Sequence, residues 1–533
     1  MEKINAEELF KEFKEHSVAE FFKKNRQMLG YSGMVRSLTT IVHEYVTNSL
    51  DACEDANIMP SIAIEIKETG ENRYSVSVAD NGPGIPKKFV GKALGVVLAG
   101  TKFHRYMQQR GQQGIGAAGC TLFAQITTGK PVHVRSETEN SAYECDVSID
   151  VKSNKPIIAN LNDLEKKGAT GLSVVAEVAD VKYENSDHGV YEYVKRTAIA
   201  NPHAEIKLIE PGGKEHVFPR SVNELPKKPF VIRPHPLGLE INDLLEFAHV
   251  SENRTIASFL VSSFSRVTPN KVNELKELAK GVDFGKDPRQ LTWAEAEEII
   301  KAIKATKWIA PDTGSLSTIG EKQIGIAIKN LLNPNFFDVV ERKPKVFRGG
   351  IPFAVEVGIA YGGGAGRTQQ DGTIGGVILR FANRVPLLFD SANCAITDAV
   401  RQIQWKRYGI ADFDKEPVSV LVNVSSVYVP YAGVGKQAIA DEDEIVEEIK
   451  LAIMDSARRM QRYISNKRNM GIEKSRYETI LRYASQLAKD ISELTGSDYD
   501  EVDRAVRLLI STKYRKALEE EQKSEESGKV ERN

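Results

Sequence analysis

The chain has 533 residues, room for roughly three or four domains, and carries 72 Lys and Arg against 73 Asp and Glu, a formal net charge of −1. So even a balance gives no argument for nucleic acid from overall charge, and any DNA contact has to rest on local basic patches. With 41 % hydrophobic residues and no apolar run of the roughly 18 residues a span needs, the composition is that of an ordinary soluble protein without a membrane span. The opening Met1-Glu2-Lys3-Ile4-Asn5 is not a secretory signal. Cys53, Cys120, Cys145 and Cys394 lack CxxC spacing, which speaks against a zinc site or disulfide framework and for a reducing cytoplasm.

Residues 1–30 begin with an amphipathic, charged helix (Leu9, Phe10, Phe13, then Phe21 and Phe22). From Met34 to Ala56 the spacing predicts a second helix with Leu38, Ile41, Val42, Tyr45 and Ala52 as its apolar stripe. Glu44, Asn48 and Asp51 follow i, i+4, i+7 spacing beside that stripe. They are either the solvated face of an ordinary helix or a polar strip at the border of core and cleft. In a cleft, the Asn48 carbonyl oxygen suits Mg²⁺, and Glu44, one turn earlier, suits polarising a water for attack on a phosphoryl group. Tyr74, Val76 and Val78 alternate as a strand, and Asp80 continues their parity, so its carboxylate points inward and needs a partner. An adenine amino group would supply one, with Gly82 and Gly84 letting the backbone come close to the ring. Read alone, the same stretch is a strand ending in an Asn-Gly turn. Gly91 to Arg110 has little periodicity and reads as a mobile lid. Then comes Gly111-Gln112-Gln113-Gly114-Ile115-Gly116-Ala117-Ala118-Gly119, whose successive backbone N–H groups would form an anion-binding concavity, with a helix from Ala117 onward adding its positive end. It is neither a P-loop nor a convincing dinucleotide fingerprint, since no Gly-Lys-Ser/Thr follows and no strand leads directly into it.

These three motifs, in this order, resemble the Bergerat ATP fold shared by the ATPase subunits of gyrase, Hsp90 chaperones, MutL mismatch-repair proteins and histidine kinases. The resemblance implies an α/β sandwich that binds ATP and Mg²⁺. It makes Glu44 the general base, Asn48 the Mg²⁺ ligand, Asp80 the adenine partner, and Gly111 to Ala118 the phosphate loop, with Asp51 on the nucleotide-facing strip. It further implies that Thr170, in Gly168-Ala169-Thr170-Gly171, supports Asp80 through an ordered water, and that Thr101 and Lys102 approach the phosphates from the lid. In this family the N-terminal arm can reach across to a second copy; the alternative is a helix folded back on its own domain.

The ATPase part is expected over residues 31–228. Pro226-Lys227-Lys228-Pro229 and Pro234-His235-Pro236 read as a boundary, followed by an all-helical stretch to residue 307. One helix spans roughly Arg254 to Phe264, Thr268-Pro269 starts the next, and Thr292-Trp293-Ala294-Glu295 is a capping box with Ala296, Ile299, Ile300 and Ile303 behind it. The stretch resembles a helix-two-turns-helix module, which contacts DNA in some repair proteins. Here Lys301, Lys304 and Lys307 alternate with acids, which favours a structural or docking insert. Residues 308–470 read as a second α/β unit with strands at Pro352–Ala360, Gly375–Phe381 and Val418–Val427. A helix from Ala395 to Lys406 predicts a right-handed crossover, and a long helix follows from Asp443 to Lys467. This unit resembles the transducer domain of gyrase-like ATPases, where the position of Lys436 is that of a switch lysine contacting the γ-phosphate; read alone, it is one exposed loop lysine among many. Trp405-Lys406-Arg407-Tyr408 is a cationic, aromatic cluster resembling an element of the B subunits of type IIB DNA topoisomerases, and the helical insert and chain length resemble the same branch. That resemblance implies an ATP-dependent homodimer clamping double-stranded DNA, DNA contacts at Trp405, Lys406 and Arg407, and cleavage on a separate A subunit within an A2B2 assembly. A MutL-like clamp is the alternative, which the insert and the Trp405 cluster argue against; an Hsp90-like chaperone would need more chain after the long helix. Residues 471–533 read as a charged helical tail (Tyr477 to Leu494, Glu501 to Leu518) ending in disorder from Glu519.

Overall fold

The computed structural model describes residues 20–21, 24–26, 30–99, 106–111, 114–369, 371–433 and 435–514. The N-terminal helix expected from Leu9, Thr101 and Lys102 of the lid, Gln112 and Gln113 of the glycine run, and the end of the tail lie outside the described residues. The chain divides into two units, one running to Ile403 and resuming over Phe413–Ser456, the other comprising Gln404–Asp412 and the chain from Ala457.

In the first unit, helix α1 (Met34–Asp55) is followed by β1 (Ser61–Gly70), β2 (Arg73–Asp80), the short α2 (Val90–Leu94), α3 (Gly116–Thr128), β3 (Val132–Glu137), β4 (Ala142–Asp150), β5 (Lys155–Leu164), β6 (Gly171–Ala179), α4 (Val190–Ala200), β7 (Glu205–Ile209) and β8 (Glu215–Phe218). The eight strands form one sheet in the order β5-β4-β3-β6-β2-β1-β7-β8. Ile62, Ile64 and Ile66 of β1 and Tyr74, Val76 and Val78 of β2 put every second side chain inside, the period that a half-buried strand dictates. Against them pack Leu38, Ile41, Val42 and Tyr45 of α1, Phe123 of α3 and Tyr193 of α4. The core wraps α1 more fully than its stripe predicts, because Ser37, Thr39, Thr40, Thr47 and Ser49 are buried as well. From Ser37 to Leu50 only Asn48 is exposed, so the Glu44-Asn48-Asp51 strip is no solvated face.

An all-helical stretch comes next: α5 (Ile241–His249), α6 (Ile256–Ser263), α7 (Pro269–Leu278) and α8 (Trp293–Ala305). It has its own core, including Leu244, Phe259, Phe264, Leu275, Ile299 and Ile303. The caps expected from the sequence are present. The Thr268 hydroxyl accepts from the Lys271 amide, and Thr292 and Glu295 cap each other's backbone.

The second α/β lobe holds α9 (Glu321–Leu332), β9 (Phe336–Glu341), β10 (Lys345–Phe347), β11 (Ile351–Tyr361), the short pair β12 (Arg367–Thr368) and β13 (Ile374–Gly375), β14 (Val377–Ala382), β15 (Val385–Pro386), α10 (Ala395–Arg401) and β16 (Val418–Ser426). Its sheet runs β10-β11-β16-β14-β15, with β9 also pairing β11. β14 and β16 are parallel neighbours joined through α10, the strand–helix–strand unit expected from the sequence. Every residue of β16 is buried.

Three expectations are corrected. The helix from Ala395 stops at Arg401, and Trp405–Tyr408 is a separate 3-10 turn ended by Gly409 at φ +88°. Ile403 and Trp405 are both buried, an i, i+2 pattern that one helical face cannot satisfy. The strand expected from Gly375 breaks at Gly376, whose amide donates to the Phe413 carbonyl instead of the ladder. The long helix, α11, runs from Asp443 to Thr495, 53 residues, absorbing the helix expected from Tyr477. Gly471 alone does not stop it, and Gly496 at φ +69° does. α12 (Tyr499–Lys513) follows, capped by Asp498. All four cysteines are buried free thiols. Among the described residues no helix is long and apolar enough to cross a membrane.

Glu356 of β11 is buried in the second lobe, where Ile319 N, Gly320 N and Asn423 Nδ2 donate to it. Burial pushes its carboxyl from 4.5 up to about 7 against those donors. The folded state therefore holds this proton more tightly than the unfolded chain, and the stability it contributes is full below about 4.5 and lost as pH rises through about 7. Urea unfolding on either side of that window should show Glu356→Gln losing about 3 kcal/mol less than the parent chain. Equal losses would mean that Glu356 titrates as an ordinary exposed acid.

Candidate active site

A cavity of about 1000 Å³ opens between the first sheet's helices and the second lobe, lined by Glu44, Asn48, Asp51, Asp80, Gly84, the run Gly114 to Gly119 and, from the other lobe, Gly435, Lys436 and Gln437. Asn48 stands open to it and Glu44 half-buried beside it. Glu44 lies against the first residue of α3: a Cβ on Gly116 would overlap the Glu44 carboxylate. Glycine is needed there for that close approach, and the same approach brings the acid beside a helix start. The N-cap of α3, Ile115, provides no side-chain cap, so the first N–H groups of the helix are left for a ligand at its positive end. Gly111, Ile115, Ala117 and Ala118 line the same wall, and Gly114 turns at φ +58°.

Asp80 is fixed at the end of β2. Ser49 Oγ donates to its Oδ2 at 2.6 Å, and the amides of Gly82 and Leu172 donate to its Oδ1 at 2.9 and 3.3 Å. Burial raises its carboxyl above the usual range, and these three donors pull it back. Asn81 faces away, pairing with Ser61 N and Met59 O. Gly82 thus serves Asp80 through its amide, while Gly84, at φ +70°, passes so close to the Glu137 carbonyl that a side chain would collide. Thr170 stands half-buried just before β6. Ser49 is a direct partner of Asp80 that sequence reasoning misses, because it lies on the buried side of α1.

His43, next to Glu44, is kept neutral by burial, with the Glu44 charge opposing and the Lys436 ammonium reinforcing the downward shift. The loop carrying Lys436 is closed by a bridge between Tyr431 and Ile439. Gln437 Oε1 accepts from the amides of Leu388 and Phe389, and Arg380 donates to the carbonyls of Gln437 and Phe389. Asp390 in turn takes both Nη atoms of Arg36 at 3.0 and 3.2 Å, and that guanidinium sits over the Phe389 ring. Arg36 has no signature in its local sequence; its partner is 354 positions away.

Asp51 lines the cavity, and its Oδ1 lies 2.7 Å from Arg110 Nη1, so it also belongs to an ion pair. In the stretch read as a lid, Lys92, Ala93, Leu94, Leu98 and Ala99 line the cavity, while its two ends are packed. Gly91 and Gly95 pack beneath Pro156, and Gln108, Gln109 and Arg110 are 4, 7 and 7 % exposed. Trp405 is buried, so its ring is not available for contact with DNA, while Lys406 and Arg407 are exposed.

Residues 33–154 match the family of histidine kinase-, DNA gyrase B- and HSP90-like ATPases, and residues 311–476 match the topoisomerase VI B subunit transducer. The chain is 46 % identical to the B subunit of type 2 DNA topoisomerase 6 from Pyrococcus horikoshii, over 95 % of this chain and 97 % of that one. It is 45 % identical to that of Thermococcus onnurineus over 96 and 97 %, and 44 % identical to that of Methanothermobacter thermautotrophicus over 94 and 98 %. The chain belongs to the family of type 2 DNA topoisomerase 6 B subunits. Within a topoisomerase 6 B subunit, the ATPase match spans α1 to β4 and so carries Glu44, Asn48, Asp80 and the glycine run; the transducer match carries Lys436 and the first part of α11.

Gly116→Ala should push the Glu44 carboxylate off the start of α3. ATP turnover should fall about 100-fold or more while the thermal midpoint stays close to that of the parent. Turnover within about twofold of the parent would mean that the Glu44–Gly116 contact has no part in hydrolysis.

Proposed function

We propose that this chain is the ATP-operated clamp of a type IIB DNA topoisomerase. The observation that carries the reading is that one cavity takes Glu44 and the glycine run from the first lobe and Lys436 from the second, so that nucleotide occupancy and lobe position are tied. In this reading ATP lies with its adenine amino group on Asp80 and its phosphates on the amides from Gly111 to Ala118. Glu44 accepts the proton of the attacking water as its oxygen bonds to the γ-phosphorus and the bond to the β,γ-bridging oxygen breaks, leaving ADP and phosphate. The Lys436 ammonium offsets negative charge on the γ-phosphoryl oxygens.

The residues present suit Mg²⁺. Among the described residues no cluster of three or more His, Cys, Asp or Glu stands ready to cage an ion. Asn48 offers one neutral oxygen into the cavity, which is the sparse protein share that Mg²⁺ takes when phosphates and waters complete its shell. When bound, Mg²⁺ would neutralise charge on the phosphates.

The working parts are residues 31–228 as ATPase, 229–307 as helical insert, 308–470 as transducer, and 471–533 as tail, with 1–30 as the N-terminal arm. ATP binding closes two copies around a DNA duplex, and hydrolysis reopens them. Strand cleavage belongs to the A subunit of an A2B2 complex that relaxes and decatenates DNA. Lys406 and Arg407 are the local cations suited to phosphate contact. The four unpaired thiols suit a reducing cytoplasm.

The mass of the full chain in solution tests this. It should be monomeric with Mg²⁺ and ADP and dimeric with a non-hydrolysable ATP analogue. Glu44→Ala should dimerise with ATP itself and stay dimeric, because it binds without turning over. A mass indifferent to nucleotide in both proteins would remove the clamp.

A further inference from the structure

Ten residues beyond Glu44 on α1, Glu54 holds a carboxylate that hydrolysis does not use. Arg110 Nη2 lies 2.6 Å from its Oε1 and Nη1 3.1 Å from its Oε2; Arg384 Nη2 lies 2.8 Å from Oε2, and His203 Nε2 2.8 Å from Oε1. Arg110 also reaches Asp51 at 2.7 Å and Asn201 Oδ1 at 2.6 Å. The arginine side chains are 4 and 6 % exposed and that of Glu54 13 %. The charges close: two carboxylates face two guanidiniums, and His203 is held neutral by burial.

The members of this cluster come from three functionally distinct places. Glu54 and Asp51 end the helix that carries Glu44 and Asn48. Arg110 is bonded directly to Gly111. Arg384 sits on the turn between β14 and β15, where it and Asn383 both have positive φ. The second lobe grips the residues before Gly111 one after another. Gln108 exchanges two hydrogen bonds of 2.7 Å with the Ser317 backbone, Asn383 Nδ2 donates to the Gln109 carbonyl at 2.9 Å, and Arg384 shares Glu54 with Arg110.

We propose that Glu54, Arg110 and Arg384 form a pivot: they are positioning residues that pin the start of the phosphate loop and the end of α1 to the second lobe, so that movement at Lys436 turns that lobe instead of loosening it. This rests on reading Gly111 to Ala118 as the phosphate loop. A buried, charge-balanced network has few alternative arrangements, so a shift of Gly111 carries Arg110, and Arg110 carries Glu54 and Arg384 with it.

The test uses the full chain in complex with the DNA-cleaving A subunit, counting DNA strand passages per ATP hydrolysed. The double variant Glu54→Gln/Arg384→Met keeps the cluster neutral, leaving Arg110 on Asp51, and guards against a misfolded single variant. It should keep the KM for ATP within about twofold, yet lose about tenfold in strand passages per ATP, within the range of coupling between sites. Arg384→Lys, which keeps the charge on a single-nitrogen contact, should recover part of the ratio. A lowered thermal midpoint with the ratio unchanged would overturn the pivot, leaving a structural salt bridge. Gly114→Ala, strained at its positive φ, separates the two readings. If it binds the ATP analogue normally, the phosphate-loop reading falls and the pivot with it; if it fails to bind while the double variant passes strands at the parental ratio, only the pivot falls.

Discussion

A carboxylate with little access to water, facing two guanidiniums, sets the frame for everything else in the first unit. Removing one partner from such a buried pair costs about 3–5 kcal/mol, because the ion left behind has no water to replace it. Glu54 therefore anchors the end of α1, and with it the azimuth of Glu44 and Asn48, which follow from the helix period once one end is fixed. The same carboxylate anchors Arg110, hence the point from which the glycine run departs. Through Arg384 it also fixes the second sheet, 330 positions further along the chain. One ionised group thus ties together the helix that carries Glu44 and Asn48, the residue before the glycine run and the second lobe.

The contact nearest Lys436 is built on the opposite principle. Asp390 remains 48 % exposed opposite Arg36. An ion pair that wet is worth roughly 0–1 kcal/mol and can be broken and remade at little cost. These two contacts between the lobes therefore differ by several-fold in strength. The strong one sits just before the glycine run and the weak one at Arg36, which lines the cavity. The hydrogen bonds of Gln437 and Arg380 to residues 388–389 connect this weak contact directly to the Lys436 loop.

Much of this is legible in the sequence wherever the rule is local. The period of α1, the parity that turns Asp80 inward, and the threonine caps at 268 and 292 depend on neighbours within a turn or two, and each is present. The glycines announce close approaches without naming the partner; that Gly116 makes room for Glu44 needs the fold. Tyr106-Met107-Gln108-Gln109-Arg110 reads as the end of a lid, yet Gln108 pairs with the Ser317 backbone, the Gln109 carbonyl accepts from Asn383, and Arg110 donates to Glu54 and Asn201, none of which is near in sequence. Trp405 reads as a contact residue because it stands among cations, and its burial follows from tertiary packing that spacing cannot show. The sequence underestimates α11 because a fading apolar stripe resembles the end of a helix, whereas a helix ends where a residue leaves helical φ and ψ, here at Gly496.

The second sheet also has a route outward. Arg342, just after β9, donates to Glu448 at 2.6 Å and to Asp455 at 3.0 Å, and Lys345 of β10 shares Glu448. Glu448 is 2 % exposed, while its partners Arg342 and Lys345 are 28 and 52 % exposed. The two cations and two acids balance, as at Glu54, and both acids lie in the first four turns of α11. The sheet is therefore clamped at one side to the nucleotide site and at the other to the base of a helix about 80 Å long. Apolar packing alone would let such a sheet slide against its neighbours, since dispersion is nearly indifferent to direction. Ion pairs are not, because their donors and acceptors must meet in register. Placing one at each side of the sheet fixes its register against both neighbours.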